Sequence, residues 1–122
     1  MQFEVQHLTV DGRPTLRVRG ELDIATSPQF GDAVADALAS GARSLVVDLS
    51  ETTFLDSTGA RQLARTARHT ADVGVGLQVV CPAGNRPVRL VIDLLDLHLA
   101  VPIVERADRA DGGSGSGSGS GS

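Results

Sequence analysis

The stretch VVDLSETTFLDSTGARQLAR, residues 46–65, decides the fold because its hydrophobic pattern changes midway from that of a strand to that of a helix. It begins inside SLVVDLS (residues 44–50), a short and nearly continuous apolar run of the kind found in strands covered on both faces. After Gly59, apolar side chains recur at helical spacing, beginning with Ala60, Leu63 and Ala64. The segment FLDSTG (residues 54–59) is therefore predicted to lie at a strand-to-helix junction.

The segment before this stretch predicts a β-hairpin followed by a helix. FEVQHLTV (residues 3–10) and PTLRVRG (residues 14–20) both alternate apolar and polar residues, and Asp11-Gly12 lies between them. Ser27 followed by Pro28 predicts a helix start, with Ser27 at the N-cap and Pro28 at the first helical position.

The segment after it continues to alternate strands with helices. VGLQVVC (residues 75–81) is a third buried-type strand, NRPVRLVIDLLDL (residues 85–97) a helix, and AVPIVER (residues 100–106) a short last strand. The order β-β-α-β-α-β-α-β predicts a single α/β domain, with helices packed on a mixed, mostly parallel sheet.

The helix at residues 85–97 carries two apolar rows. The row predicted to face the core consists of Val88, Val91, Ile92 and Leu95. The second row, which is a candidate for an exposed apolar contact, consists of Leu90, Leu94 and Leu97.

Two parts of the chain differ in composition. Residues 112–122 alternate Gly and Ser with no apolar residue, so they cannot bury surface to offset the entropy of ordering. We expect a folded domain at residues 1–110 and a flexible Gly/Ser tail at residues 111–122. The tail is either an engineered linker or a native low-complexity end, since both have this composition.

Composition excludes several functions. A net charge of −4, with only three aromatic residues, argues against nucleic-acid binding. Cys81 is the single cysteine, so no intrachain disulfide forms, and with His7, His69 and His98 scattered no metal or cofactor site is predicted. No apolar run of about 18 residues is present, so we expect a cytoplasmic protein without a membrane partner.

The DSTG segment supports two interpretations. Asp56, Ser57 or Thr58 can each accept a hydrogen bond from the unpaired N–H groups of the helix that follows, which makes the segment an N-cap. The same N–H groups and the helix dipole favour negative charge, so a phosphate on Ser57 would also be tolerated there. Phe54 and Leu55 are expected to anchor the turn in the core.

Two motifs make the sequence similar to a known family. VVDLSETTFLDSTGARQLAR and GELDIATSPQF (residues 20–30) resemble the D-S-[ST]-G and G-E-L-D segments of STAS domains, in particular bacterial anti-sigma factor antagonists. The resemblance covers about residues 3–106 and agrees with the predicted order of elements. In that family a last helix usually follows the final strand, whereas ADRADGG (residues 107–113) predicts that this helix is short or missing.

The resemblance implies a regulator that works by partner switching and not an enzyme. Unphosphorylated, it would sequester an anti-sigma factor that is also a serine kinase with a GHKL-type ATP site, so that sigma factor is released in stress response or sporulation. Phosphorylation of Ser57 would release the kinase, and a serine phosphatase is a further implied partner. The resemblance places the partner-binding surface at Asp23, Asp56, Ser57, Thr58, Gly59 and Arg61. Gly59, which lacks a side chain, is expected to leave room for the partner.

Other interpretations stay open at this point. Arg61, Arg65 and Arg68 form either a solvated helix face or a contact with acidic groups of the partner. Asp48 ends a strand as in a receiver domain, but no acidic pair follows the first strand. A hydrolase would need a G-x-S-x-G elbow in place of the Asp and Thr around Ser57. The main alternative function is a STAS interaction module without a switch, for example an accessory subunit of a transporter.

Overall fold

Residues 2–107 are described by a computed structural model of the chain. The tail at residues 111–122, the domain boundary near residue 110 and the predicted loss of the final helix lie outside these residues. The elements in chain order are β1 (Glu4–Val10), β2 (Arg13–Leu22), α1 (Ser27–Ala39), β3 (Ser44–Asp48), β4 (Thr52–Leu55), α2 (Ser57–Asp72), β5 (Gly76–Val80), α3 (Arg86–Leu94), a 3₁₀ turn (Leu97–Leu99) and β6 (Ile103–Val104).

The N-terminal hairpin forms as predicted. Strands β1 and β2 are antiparallel, with Val10 opposite Arg13. The two residues between them both have positive φ, 53° at Asp11 and 77° at Gly12, which matches the primed turns that favour Asp-Gly. The hairpin forms one edge of a sheet with the order β1-β2-β3-β5-β6, in which every pair after β1 and β2 is parallel.

Strand β4 is an element that the sequence prediction lacked. It pairs in parallel with the end of β2, beyond the part of β2 that pairs with β3. The Thr52 hydroxyl donates a 2.8 Å hydrogen bond to the Val18 carbonyl, and the Asn85 amide donates to the carbonyls of Leu49 and Thr52 at 2.9 and 2.8 Å. These side-chain bonds hold β4 against β2 and against the start of α3.

The core lies on one face of the sheet. Buried side chains of β2, β3 and β5 form a single apolar cluster with side chains of all three helices. Phe30 of α1, Leu63 of α2 and Ile92 of α3 are nearly inaccessible in it. The core is therefore mainly aliphatic, with Phe30 as a fully buried aromatic residue.

The start of α1 differs by one residue from the prediction. Thr26 is the N-cap, and Ser27 and Pro28 follow as the first helical residues. The reason lies in the preceding turn, where the Ser27 N–H already donates a 2.8 Å bond to the Asp23 carbonyl. Pro28 still lies within the first turn, where its missing N–H leaves no hydrogen bond unmade.

The prediction of which side chains of the third helix face the core is partly wrong. Helix α3 ends at Leu94, and Asp96 adopts a left-handed conformation with φ 49°. This reversal changes the direction of the side chains that follow. Leu97, predicted in the outer row, is buried, whereas Leu95, predicted inward, is exposed. Val88 and Ile92 are buried and Leu90 and Leu94 exposed, as expected.

We predict that Leu97→Ala lowers the free energy of unfolding by about 2–5 kcal/mol because it leaves a cavity in the core. Leu99→Ala is the matched control, two residues along the same turn, and should change it by less than about 0.5 kcal/mol. The exposed fractions of the two side chains are 6% and 78%. Urea denaturation measures both, and equal effects would contradict the inward direction of Leu97.

Candidate functional site

The carboxyl ends of β2 and β4 form one corner of the molecule. Leu22 is the register partner of Leu55, and both leucines are buried in the core. The next residue of each strand is an acid, Asp23 after β2 and Asp56 after β4. The sheet register therefore brings together two acids that lie 33 positions apart in the chain.

Asp56 joins the two segments of this corner. It is the N-cap of α2, and its Oδ1 accepts a 2.8 Å hydrogen bond from the Gly59 N–H. Its other oxygen, Oδ2, accepts a 3.2 Å bond from the Ile24 N–H. Among the three candidate caps named by the sequence, the structure uses Asp56. Both of its oxygens are engaged within the chain.

Asp23 organises the loop between β2 and α1. Its Oδ1 accepts hydrogen bonds from the N–H groups of Ala25 and Thr26 at 3.0 and 3.1 Å, and its own N–H donates to the Thr26 hydroxyl oxygen at 2.9 Å. The Thr26 hydroxyl also donates to the Glu21 carbonyl at 2.7 Å. Asp23 lies on the predicted edge, and its carboxylate has a clear structural task there.

Ser57 is the first residue of α2, and its side chain is exposed. Thr58 is half-buried. Within the described residues, the N–H groups of Ser57 and Thr58 have no hydrogen-bond acceptor, because in the first turn of α2 the Asp56 carboxylate accepts only the N–H of Gly59. An anion attached to Ser57 would meet free donors and the positive end of the helix dipole.

Gly59 has a structural role that differs from the predicted one. It is buried, and a Cβ at this position would lie far inside contact distance of the Leu22 carbonyl oxygen and 2.8 Å from Leu55 Cδ1. Its lack of a side chain lets α2 approach the end of β2 closely. The expectation that Gly59 leaves room for a partner is therefore wrong, because the chain itself fills that room.

Phe54 and Ile24 are the largest departures from the sequence analysis. Phe54 was expected in the core with Leu55, but only Leu55 is buried, and 46% of Phe54 is exposed. Because β4 is a strand, the two neighbours point to opposite faces. Ile24, which sequence reasoning missed, is 73% exposed. Its place directly after the acid of the GELD segment is the signal that could have identified it.

Arg61 lies one turn into α2 and is exposed, as are Arg65 and Arg68. Within residues 2–107 none of the three forms an ion pair. They form a basic surface on the helix that carries Ser57. The arrangement is compatible with both alternatives drawn from the sequence, a solvated face and a contact with acidic groups.

The described part of the chain offers little support for a metal site, a cysteine nucleophile or a membrane span. It contains no group of three or more His, Cys, Asp or Glu side chains that could hold a metal ion. Cys81 is buried, and burial raises the pKa of its thiol, although the nearby Arg89 guanidinium opposes the shift. A protonated thiol is a poor nucleophile. None of the described helices has the length and apolar character needed to cross a bilayer.

Comparison with known proteins identifies relatives over most of the chain. The family model described as "Mlab, STAS domain" matches residues 7–102. Anti-sigma-F factor antagonist RsfB of Mycobacterium tuberculosis is 30% identical over 82 residues, which cover 66% of this chain and 67% of that protein. These relatives are named as regulators and not as enzymes.

Solved structures show the same architecture. The crystal structure of an anti-sigma factor antagonist from Mycobacterium paratuberculosis superposes with a TM-score of 0.75 and 28% identity, covering 86% of this chain and 87% of that one. The anti-sigma factor antagonist SpoIIAA in its unphosphorylated form has a TM-score of 0.64 at 18% identity, covering 84% and 88% of the two chains, and shows the shared fold.

We predict that Gly59→Ala destabilises the domain by about 1–3 kcal/mol or more, because the added methyl group collides with the Leu22 backbone. Gly84→Ala is the matched control, since a Cβ at Gly84 would meet nothing within 4 Å. It should change stability by less than about 0.5 kcal/mol. Thermal unfolding measures both, and a stable Gly59→Ala protein would contradict the close approach of α2 to β2.

We further predict that the two oxygens of Asp56 have separable effects. Asp56→Asn keeps one acceptor for the Gly59 N–H, so stability should change little, since Asn and Asp are equally good N-caps. It loses the acceptor of the Ile24 N–H, whose hydrogen exchange should become faster. Asp56→Ala removes both bonds and should cost about 0.5–2 kcal/mol. Unchanged Ile24 exchange in both variants would show that Asp56 does not hold the loop.

Proposed function

The chain belongs to the STAS domain family of bacterial anti-sigma factor antagonists, and from this premise we propose that it acts by partner switching controlled by a phosphate on Ser57. In the unphosphorylated form it binds an anti-sigma factor and thereby releases a sigma factor. In the phosphorylated form it no longer binds. The position of Ser57 carries the proposal: its hydroxyl is exposed at the start of α2, directly after the N-cap Asp56.

The surroundings of Ser57 suit a reversible phosphate. A phosphoserine carries about −1.5 to −2 charges. At the first position of α2 it gains about 0.3–1 kcal/mol from the helix dipole, and the unpaired N–H groups there can donate to its oxygens. The neighbouring Asp56 carboxylate opposes this gain. The fold is thus expected to survive phosphorylation while the character of the surface changes.

The proposed partner is an anti-sigma factor that is also the kinase, with a GHKL-type ATP site. A serine phosphatase that removes the phosphate would complete the cycle. Asp23, Asp56, Thr58 and Arg61 lie around Ser57 in the chain or on the same corner and belong to the proposed contact surface. Because the partner acts on transcription, the proposed place of action is the cytoplasm.

A STAS interaction module without a switch is the second candidate, for example an accessory subunit of a transporter. Exposed leucines on α3 favour it, since Leu90 and Leu94 offer an apolar surface that does not include Ser57. This candidate differs in one clear way: it predicts that a charge at Ser57 leaves partner binding unchanged.

We predict that incubation with the cognate anti-sigma kinase and ATP adds one phosphate, at Ser57. Intact-mass analysis measures the addition. Ser57→Ala should abolish it, and Thr58→Ala is the matched control that should retain it. Either an unmodified wild-type chain or a phosphate that survives Ser57→Ala would refute the assignment.

We also predict that Ser57→Asp weakens binding of the anti-sigma factor at least about tenfold, while Ser57→Ala retains it. A tenfold loss corresponds to about 1.4 kcal/mol, which a misplaced charge at an interface readily supplies. Isothermal titration calorimetry measures both dissociation constants. Equal values would favour the module without a switch.

A further inference from the structure

Two large apolar side chains are exposed on the two segments that form the corner of the candidate phosphorylation site. Ile24, in the loop between β2 and α1, is 73% exposed, and Phe54, on β4, is 46% exposed. We call them the Ile24–Phe54 pair. Single exposed apolar residues are common on protein surfaces, but two that border one proposed contact site point to an interaction surface.

Backbone pairing ties both residues to Ser57. The Ile24 N–H is hydrogen bonded to the carboxylate of Asp56, the residue before Ser57. Phe54 lies two residues before Asp56, and its register partner on β2 is Glu21. Because Leu22 and Leu55 point into the core, Phe54 and Glu21 point away from it. Both residues are therefore tied by the backbone to the segment that carries Ser57.

The acids of the corner use most of their hydrogen-bond acceptors within the chain. Both oxygens of Asp56 accept hydrogen bonds from backbone N–H groups, and one oxygen of Asp23 accepts two such bonds within its own loop. A partner that took these acceptors over would have to break the loop and the helix cap. Asp56 therefore has no free oxygen for a partner, whereas Ile24 and Phe54 are large apolar side chains that this corner exposes.

We propose that the Ile24–Phe54 pair is the apolar contact through which the anti-sigma factor docks over Ser57, and that the partner offers it an apolar recess. This proposal rests on the proposed function and adds the chemistry of the contact. Aromatic and large aliphatic side chains in a desolvated centre commonly carry most of the energy of an interface. Asp23 and Asp56 then act as positioning residues that hold Ile24 beside Ser57.

The apolar contact also explains how a phosphate would act. A dianion at the edge of a dry contact must lose its hydration, which is costly unless new hydrogen bonds replace the water. The more apolar the contact, the larger this cost. Release of the partner then needs no rearrangement of the fold. A contact made mainly by Arg61, Arg65 and Arg68 would behave differently, because screening by salt would weaken it.

The test measures binding of the purified anti-sigma factor to two variants with matched controls. Ile24→Gln is compared with Leu99→Gln, whose exposed fraction is 78%, and Phe54→Thr with Val10→Thr, whose exposed fraction is 42%. We expect each of the first variants to raise the dissociation constant at least about tenfold, and each control to change it less than about twofold. All four positions are exposed, so the fold should persist in every variant, and circular dichroism checks this.

A second measurement observes the contact directly in the unaltered chain. The sequence contains three isoleucines, Ile24, Ile92 and Ile103. With methyl labelling of isoleucine, addition of the anti-sigma factor should shift the NMR signal of Ile24, while the signal of Ile92, buried in the core, should hardly move. The wild-type dissociation constant should also change little between low and high salt, because an apolar contact is not screened.

The outcomes separate this proposal from the one on which it rests. A wild-type chain that neither binds the anti-sigma factor nor accepts phosphate refutes both. A wild-type chain that binds and is phosphorylated, but whose Ile24 and Phe54 variants bind as well as the controls, refutes the apolar contact alone. Equal losses in test and control variants, or an Ile24 signal that stays in place on binding, refute it as well.

Discussion

The Asp56 carboxylate is the interaction on which the candidate site depends. One of its oxygens caps α2 through the Gly59 N–H, and the other holds the Ile24 N–H of the loop after β2. The two segments come from different parts of the chain and meet only because β2 and β4 pair in register. A single side chain thus fixes the start of the helix that bears Ser57 and the position of the loop beside it.

Gly59 allows α2 to begin close to the end of β2. The Asp56 N–H donates to the Leu22 carbonyl at 3.3 Å, and the same carbonyl occupies the space where a side chain at position 59 would lie. Helix α2 can therefore begin directly against the end of β2. The motif D-S-T-G is explained in large part by packing: Asp caps, Gly permits the approach, and only Ser57 is left exposed by this geometry.

Much of the fold could be predicted because it depends on local periodicity. The Asp11-Gly12 turn and the helical spacing after Gly59 both act over a few residues, and both are found as expected. The error at β4 arises where a long-range contact decides. Strand β4 exists because it pairs with β2, and without that pairing the opposite directions of Phe54 and Leu55 could not be foreseen. The error at Leu95 and Leu97 has a local cause, because the left-handed conformation of Asp96 turns the chain after α3.

At this corner, the residues that maintain the structure differ from the residues that are exposed to a partner. This separation explains how a switch could work without a change of fold. Asp23, Asp56 and Gly59 maintain the structure: the two acids accept hydrogen bonds within the chain, and Gly59 permits the close approach of α2 to β2. The residues on the surface, Ile24, Phe54 and Ser57, have no comparable structural duty and are free to serve a partner. In the proposed switch, a phosphate on Ser57 would meet donors of its own helix, so that the folded state keeps its stability, whereas a partner resting on the apolar pair would have to bury the new charge. The phosphate would then raise the free energy of the complex far more than that of the free domain. Such a difference between two states is the condition for a ligand or modification to shift a binding equilibrium.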